Sequence, residues 1–199
     1  GWAEQNDLIV IADEIYAELH YDGGHVSAAA LPGARERTVL IGGFSKAWAM
    51  TGWRLGFAAG PQDLIGGMAK VHAYTVMCAP TMAQEAALDV LYGCDGEVSA
   101  MRREYDQRRR VIVRRLRDMG LDCFEPKGAF YAFPSIARTG LTSEQFAERL
   151  LQEEKVAVVP GTAFGECGEG FVRCSYATSL PTLEEGMARM ARFVARAAG

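Results

Sequence analysis

The sequence predicts an α/β fold followed by a smaller α+β module. Two short apolar runs, at residues 8–12 and Thr38–Gly43, have the length and composition of strands in a parallel sheet. An amphipathic helical pattern then covers residues 96–120, and the chain beyond it changes to short alternating segments. We therefore predict two domains, residues 1–100 and 101–199, joined through a long helix.

The predicted sheet of the first domain places polar residues at one edge. Its first strand, residues 8–12, ends at Asp13, and we expect this strand to be covered on both faces. The second strand ends shortly before Lys46, and α/β sheets bind ligands at the carboxyl ends of such strands. A third strand at residues 54–60 follows too soon for a helical crossover, so we predict that it pairs antiparallel with the second.

Helical spacing of apolar residues predicts helices at residues 61–76, 81–92 and 96–120, the last ending at Gly120 as a C-terminal cap. We expect the following residues on buried faces: Leu64, Met68, Val71 and His72 in the first helix, and Met101, Tyr105, Val111, Ile112, Leu116 and Met119 in the long one. For the second domain we predict short extended segments at residues 122–124, 128–133, 156–159 and 171–176, and helices at 142–154 and 183–197, with Ser143 as an N-cap.

Charge and cysteine content limit the class of protein. The net charge is −4, and the arginines between Arg102 and Arg117 are interleaved with acidic residues, which favours a solvated helix face over a nucleic-acid surface. The five cysteines form no C-x-x-C pair, so neither a disulfide framework nor a zinc site is predicted and a reducing cytoplasm fits. We expect no membrane span and no signal peptide, since no apolar run is long enough.

Other ligand motifs are not indicated. His20, His25 and His72 lack metal-ligand spacing, so we interpret them as solvent or packing residues and predict no metal site. Ser45 precedes Lys46, which is the wrong order for a P-loop, and ATP is not predicted.

Lys46 is the first candidate for chemistry. It follows an apolar run and lies among Phe44, Trp48 and Trp53, with no other cation before Arg54. Partial desolvation disfavours the ammonium form and leaves a nucleophilic amine, which suits carbonyl and pyridoxal phosphate (PLP) chemistry. A surface lysine that extends along these aromatic residues to water is the alternative.

The segment at residues 42–56, GGFSKAWAMTGWRLG, resembles the S-K-A-x-x-x-T-G-x-R-x-G motif of PLP-dependent aminotransferases of the aspartate aminotransferase superfamily (fold type I). The phrases Asp-Glu-Ile-Tyr at 13–16 and Phe-Val-Arg-Cys-Ser at 171–175 are similar to the same family. The resemblance implies part of a fold type I large domain, with three adjacent strands of which the last is antiparallel, plus a small domain. It also implies a C-terminal portion of such an enzyme, which we expect to be inactive alone.

The resemblance assigns roles to five residues of the first domain. Lys46 is implied to be the Schiff-base lysine that also moves the substrate proton. Asp13 is implied to pair with the pyridine nitrogen and Tyr16 to hydrogen-bond the 3′ oxygen, although a turn or N-cap role is the alternative for Asp13. Ser45 and Arg54 are implied to bind the phosphate.

Two further residues and one departure concern the rest of the site. Arg173 is implied to bind the substrate α-carboxylate, with a buried structural ion pair as the alternative. Tyr131 resembles a residue that lines the active site. One branch of the family has a second hydroxyl residue where this chain has Gly43, which leaves part of the phosphate site open.

The function that the resemblance implies is transfer of an amino group between an L-amino acid and a 2-oxo acid, by a homodimer with no nucleic-acid or membrane partner. A PLP-dependent lyase or synthase of the same fold is one alternative, although synthases usually have a histidine after Asp-Glu, where this chain has Ile15. The aminotransferase-like effector domain of a transcription regulator is the other.

Overall fold

The computed structural model describes residues 1–197; positions 198 and 199, the end of the predicted second domain, lie outside the described residues. The chain divides into two compact units, Gly1–Arg102 and a second that begins at Arg103. The helices are α1 (Trp2–Gln5), α2 (Gln62–Thr75), α3 (Thr81–Gly93), α4 (Asp95–Asp118), α5 (Ser143–Glu154) and α6 (Leu180–Ala197). The strands are β1 (Val10–Asp13), β2 (Thr38–Gly43), β3 (Gly56–Ala59), β4 (Tyr131–Ala132), β5 (Val159–Pro160) and β6 (Val172–Ser175).

The sheet of the first unit has the order β1-β2-β3. Strands β1 and β2 are parallel, with Asp13 opposite Ile41. Strand β3 pairs antiparallel with β2, with Gly56 opposite Gly43, so the predicted direction of the third strand is confirmed. Because β1 and β2 are parallel, the residues that follow both strands leave the sheet at the same edge.

The burial of this sheet differs from the prediction. We expected the first strand to be covered on both faces, but Ile11 is 74% exposed and Ile9 is 58% exposed. Helix α2 contains no buried residue, and Val71, predicted on its buried face, is 65% exposed. Burial in this unit includes a small cluster of Phe44, Met50 and Ala87. The apolar patterns are therefore present, but the packing partners that burial needs are not among the described residues.

Helix α4 fits its predicted apolar spacing, with Ile112 and Leu116 fully buried. Gly120 follows with a φ of +76°, a left-handed conformation that favours glycine at a helix end. The interpretation of its arginines as a solvated face is wrong for Arg109, which is 3% exposed. Its guanidinium pairs with Asp106 and donates to the carbonyl of Pro126, so the charge is neutralised inside the second unit.

The second unit is built on an antiparallel sheet with the order β4-β6-β5. Its strands are shorter than predicted, and residues 122–124 form none. The segment predicted at 128–133 is extended only at Tyr131–Ala132, because Ala129 has a φ of +56° that interrupts an extended backbone. The structure thus retains the predicted extended segments only where they pair with β6.

Helices α5 and α6 supply the core of this unit. The cap of α5 is Thr142, which forms a reciprocal capping box with Gln145, and not the predicted Ser143. Ser143 is instead buried and its hydroxyl accepts a hydrogen bond from the backbone of Gly170. The largest fully buried side chains of this unit include Phe146, Leu150, Tyr176, Met190 and Phe193. Over residues 1–197, no helix combines the length and hydrophobicity that a membrane crossing needs.

Candidate active site

The turn after β1 places Asp13 and Tyr16 at the carboxyl edge of the sheet. The Oδ1 atom of Asp13 accepts a hydrogen bond of 3.2 Å from the backbone N–H of Ile15. The backbone N–H of Glu14 donates to the carbonyl of Ile41 at 2.9 Å, which ties this turn to β2. Asp13 is exposed, whereas the strand that it ends was expected to be covered on both faces, and its present hydrogen bond is that of a turn residue.

The sequence interpretation missed Glu14. Its side chain is 9% exposed, and its carboxylate accepts hydrogen bonds from the backbone of Ala28 at 2.8 Å and the hydroxyl of Ser27 at 3.0 Å. The Nε2 atom of His25 lies 2.8 Å from Oε2 of Glu14, a contact that the interpretation of His25 as a solvent or packing residue did not include. Burial raises the pKa of Glu14, but the bonds from His25, Ala28 and Ser27 outweigh it and hold the pKa below its ordinary value.

Lys46 lies in the loop that follows β2. Phe44, which precedes Lys46 in the sequence, and Met50, which follows it, are both buried. The centroid of the Phe44 ring lies 5.2 Å from that of Trp48. Lys46 is half-buried, and its Nζ lies 5.9 Å from the ring centroid of Tyr16. The structure therefore brings together the predicted lysine and the predicted phenol, from the ends of adjacent parallel strands.

The two predicted phosphate ligands are connected through Thr51, which the sequence interpretation did not single out. The hydroxyl of Thr51 donates to the carbonyl of Ser45 at 2.8 Å. The Nη1 atom of Arg54 donates to the carbonyl of Thr51 at 2.8 Å, and Arg54 has a φ of +54°. Arg54 is exposed and forms no ion pair within residues 1–197. Among the described residues, the other N–H groups of Arg54 bond to no protein acceptor.

Tight packing explains the glycine at position 43. A Cβ atom at Gly43 would lie 2.9 Å from Cδ1 of Ile15 and 3.3 Å from Cα of Gly56. A hydroxyl side chain here would push against β3 and against the turn that carries Asp13. The departure from one branch of the family thus coincides with close packing around Gly43 in this chain.

Arg173 occupies the middle of the central strand of the second unit. Val172 and Cys174 point into the core, so Arg173 lies on the opposite face of the sheet. Its Cζ atom lies 4.4 Å from the ring centroid of Tyr131 and 4.8 Å from that of Phe164. Among the described residues no carboxylate pairs with it, so the alternative of a structural ion pair is not observed.

Phe164 is the third residue that the sequence interpretation missed, after Glu14 and Thr51. It lies in a 3-10 turn at Gly161–Phe164, directly after β5. Gly161 and Gly168 face each other inside this loop, and a Cβ atom on either one would collide with the carbonyl oxygen of the other. The close approach of these two glycines sets the path that delivers Phe164 to Arg173.

Known proteins are similar to this chain over most of its length. A sequence model described as "Aminotransferase class I and II" matches residues 2–190. The chain belongs to the class I and II aminotransferases. This family is PLP-dependent, and the predicted family and α/β fold class are confirmed.

Individual members of the aminotransferase family are similar over almost the whole chain. A putative aminotransferase, YugH, from Bacillus subtilis is 58% identical over 97% of this chain and 50% of the relative. An aspartate aminotransferase from Pyrococcus abyssi is 52% identical over 95% of this chain and 49% of the relative. The solved structure of an aromatic aminotransferase from Pyrococcus horikoshii superposes with a TM-score of 0.95 at 49% identity. The match covers 98% of this chain and 53% of the solved chain. The chain therefore spans about half the length of the curated relatives it matches.

Proposed function

We propose that this chain carries the cofactor lysine and the substrate arginine of a PLP-dependent aminotransferase that moves an amino group between an L-amino acid and a 2-oxo acid. The observation that carries the proposal is the half-buried Lys46 with its Nζ 5.9 Å from the ring of Tyr16. An amine beside a phenol, at the carboxyl edge of a parallel strand pair, suits carbonyl chemistry.

The donor set at this edge fits PLP. Lys46 would hold the cofactor covalently, and the guanidinium of Arg54 with the hydroxyl of Ser45 would bind its phosphate dianion. Asp13 would accept the pyridine N–H, after exchanging its present turn hydrogen bond, and Tyr16 would donate to the 3′ oxygen. When bound, PLP supplies an electron-accepting ring that stabilises negative charge at the substrate α-carbon.

The residues of the chain then divide the work between binding and proton transfer. The Nζ atom of Lys46 takes the proton from the substrate α-carbon and returns it, as a general base and acid. Arg173 binds the α-carboxylate with two parallel N–H donors, which lysine could not reproduce. Tyr131, whose ring packs on Arg173, lines the same binding surface.

The domain and partner assignments belong to the same proposal. Residues 1–100 would be the C-terminal part of the PLP-binding large domain and 101–199 the small domain. A homodimer is supported by the family resemblance and by the exposed apolar side chains of α2, which an interface would bury. All five cysteines are free, which supports a cytoplasmic location.

The names of the relatives favour transamination over the lyase, synthase and regulator alternatives. The same names do not agree on a substrate, since one relative is an aspartate enzyme and one solved structure is an aromatic enzyme. The proposal is therefore limited to an L-amino acid and a 2-oxo acid.

Chemical trapping tests the nucleophile in the chain itself. After incubation with PLP and reduction by borohydride, peptide mapping should find the label on Lys46, because its amine is half-buried beside Tyr16. Lys46→Arg should abolish the label, whereas Lys70→Arg, a change on the exposed side of α2, should not. A label spread evenly over the lysines of the chain would reject Lys46 as the cofactor lysine.

A further inference from the structure

We propose that Phe164 is a positioning residue for Arg173. Its ring, with that of Tyr131, fixes the plane of the guanidinium so that the N–H edge remains available to a carboxylate. This inference rests on the proposed role of Arg173 in binding the substrate α-carboxylate.

The topology of the second unit brings two rings to Arg173 from segments on either side of β6. Tyr131 belongs to β4, which pairs with one edge of the central strand β6. Phe164 follows β5, which pairs with the other edge, with Val159 opposite Arg173. The two rings lie 4.4 Å and 4.8 Å from the Cζ atom of Arg173, although they come from segments on different sides of β6.

Phe164 is itself held in place by other aromatic rings. Its ring meets that of Phe133 edge-on at 6.0 Å, and Phe133 stacks on Phe171 at 5.5 Å with an interplanar angle of 11°. Phe164 nevertheless remains 51% exposed. Because half of the ring is exposed to water, Phe164 is not a core residue. Its contact with Arg173 distinguishes it from an exposed ring such as Phe124.

The type of contact matters because a guanidinium has two kinds of surface. A carboxylate partner bonds to the N–H edge and would occupy the donors that a substrate needs. An aromatic ring contacts the flat face and leaves the edge donors available. Arg173 has two ring contacts and no ion pair within residues 1–197, so its orientation is restrained while its charge stays uncompensated.

The first test measures the contact in solution and needs no activity. In NMR spectra of the 199-residue chain, the Nε–H signal of Arg173 is assigned by its loss in Arg173→Lys. Phe164→Leu should move this signal downfield, because the shielding ring is removed. Phe164→Tyr should leave it near its original position, and Phe124→Leu, a change at a ring that is 77% exposed, should not move it. An unchanged signal in Phe164→Leu would overturn the inference.

The second test measures the consequence in the full-length enzyme loaded with PLP, because we expect this chain to be inactive alone. Phe164→Leu should raise the KM for both the amino acid and the 2-oxo acid by about 2- to 30-fold, the range for loss of one cation–π contact. The kcat should stay close to that of the unchanged enzyme, and Phe164→Tyr should restore the KM. In the double variant with Arg173→Lys, removing Phe164 should add little, since it acts through Arg173.

The outcomes distinguish the positioning role of Phe164 from the carboxylate-binding role of Arg173 on which it rests. If Arg173→Lys leaves the KM unchanged, Arg173 does not bind the carboxylate and the proposed role of Arg173 fails. If Arg173→Lys raises the KM but Phe164→Leu does not, the role of Arg173 stands and the positioning role of Phe164 is wrong. A loss of kcat in Phe164→Leu with an unchanged KM would also contradict positioning.

Discussion

The two units of the chain bury their apolar residues to very different extents. In the second unit, Phe146 and Phe193 are fully buried and meet edge-on at 5.1 Å. In the first unit, Ile11 lies on a strand and is 74% exposed, and no residue of α2 is buried. Strands and helices therefore form in both units, but most of the large, fully buried side chains among the described residues belong to the second unit. Secondary structure follows local pattern, whereas burial depends on what else is present to pack against.

Thiol reactivity should give the largest contrast. Burial raises the pKa of the Cys174 thiol, in the core of the second unit, to about 12. At pH 8 its thiolate population would be roughly a thousandfold below that of an ordinary thiol, so labelling should be slower by at least that factor. Cys78 of the first unit and Cys167 of the second are exposed and should react at once. Mass spectrometry of a timed maleimide reaction measures all three, and equal rates for Cys174 and Cys167 would mean that the second unit lacks a closed core.

Truncation of a buried aromatic side chain should have the next largest effect. Phe146→Ala should lower the free energy of unfolding of the second unit by about 3–5 kcal/mol, because it leaves a cavity beside Phe193. Ile11→Ala in the first unit should cost less than about 0.5 kcal/mol, because most of that side chain is already in water. Urea titration followed by Cys174 protection reports on the second unit, with Phe124→Ala as the exposed control. Similar costs for Phe146 and Ile11 would contradict the contrast in burial.

The smallest effect concerns Glu14, whose carboxylate links the end of β1 to the loop at Ser27 and Ala28. Glu14→Gln should destabilise this unit by about 1–3 kcal/mol, because it replaces a paired, hydrogen-bonded carboxylate. All three tryptophans, Trp2, Trp48 and Trp53, lie in this unit, so their fluorescence during urea titration measures its unfolding selectively.

The same carboxylate predicts a pH dependence with a definite sign. Because the folded-state pKa of Glu14 is below its unfolded value, its stabilisation is present above about pH 4.3 and is lost as the pH falls through the folded value. The variant Glu14→Gln should lose this part of the acid sensitivity, whereas the exposed Glu18→Gln should retain it. An identical acid response in Glu14→Gln and the unchanged chain would show that the Glu14 cluster does not form.

The sequence was sufficient to predict those features of the structure that depend on a single local pattern. The continuous apolar run at Thr38–Gly43 gave the bounds of β2, and the short link to the next strand gave its antiparallel direction. Gly120 was found because a helix end needs a left-handed residue there. The phrase around Lys46 gave the family, since its fifteen positions combine several residue types whose joint occurrence is rare.

Contacts between distant residues could not be predicted in the same way. Glu14 binds His25 and Ala28 only because a loop folds back on the strand end, and no periodicity signals such a bond. Phe164 matters because β5 brings its loop beside Arg173, which requires the strand order. The exposure of Ile11 was missed because an apolar strand carries no information about whether a covering layer is present.

The facing glycines of the Phe164 loop have a practical consequence for protein engineering. Because each backbone carbonyl fills the space where the other residue would carry a Cβ atom, neither position accepts even alanine by itself. Libraries that vary Gly161 or Gly168 one codon at a time should return mostly misfolded loops. Altering the shape of the Phe164 loop would require exchanging the whole segment between β5 and β6 at once, with both glycines retained.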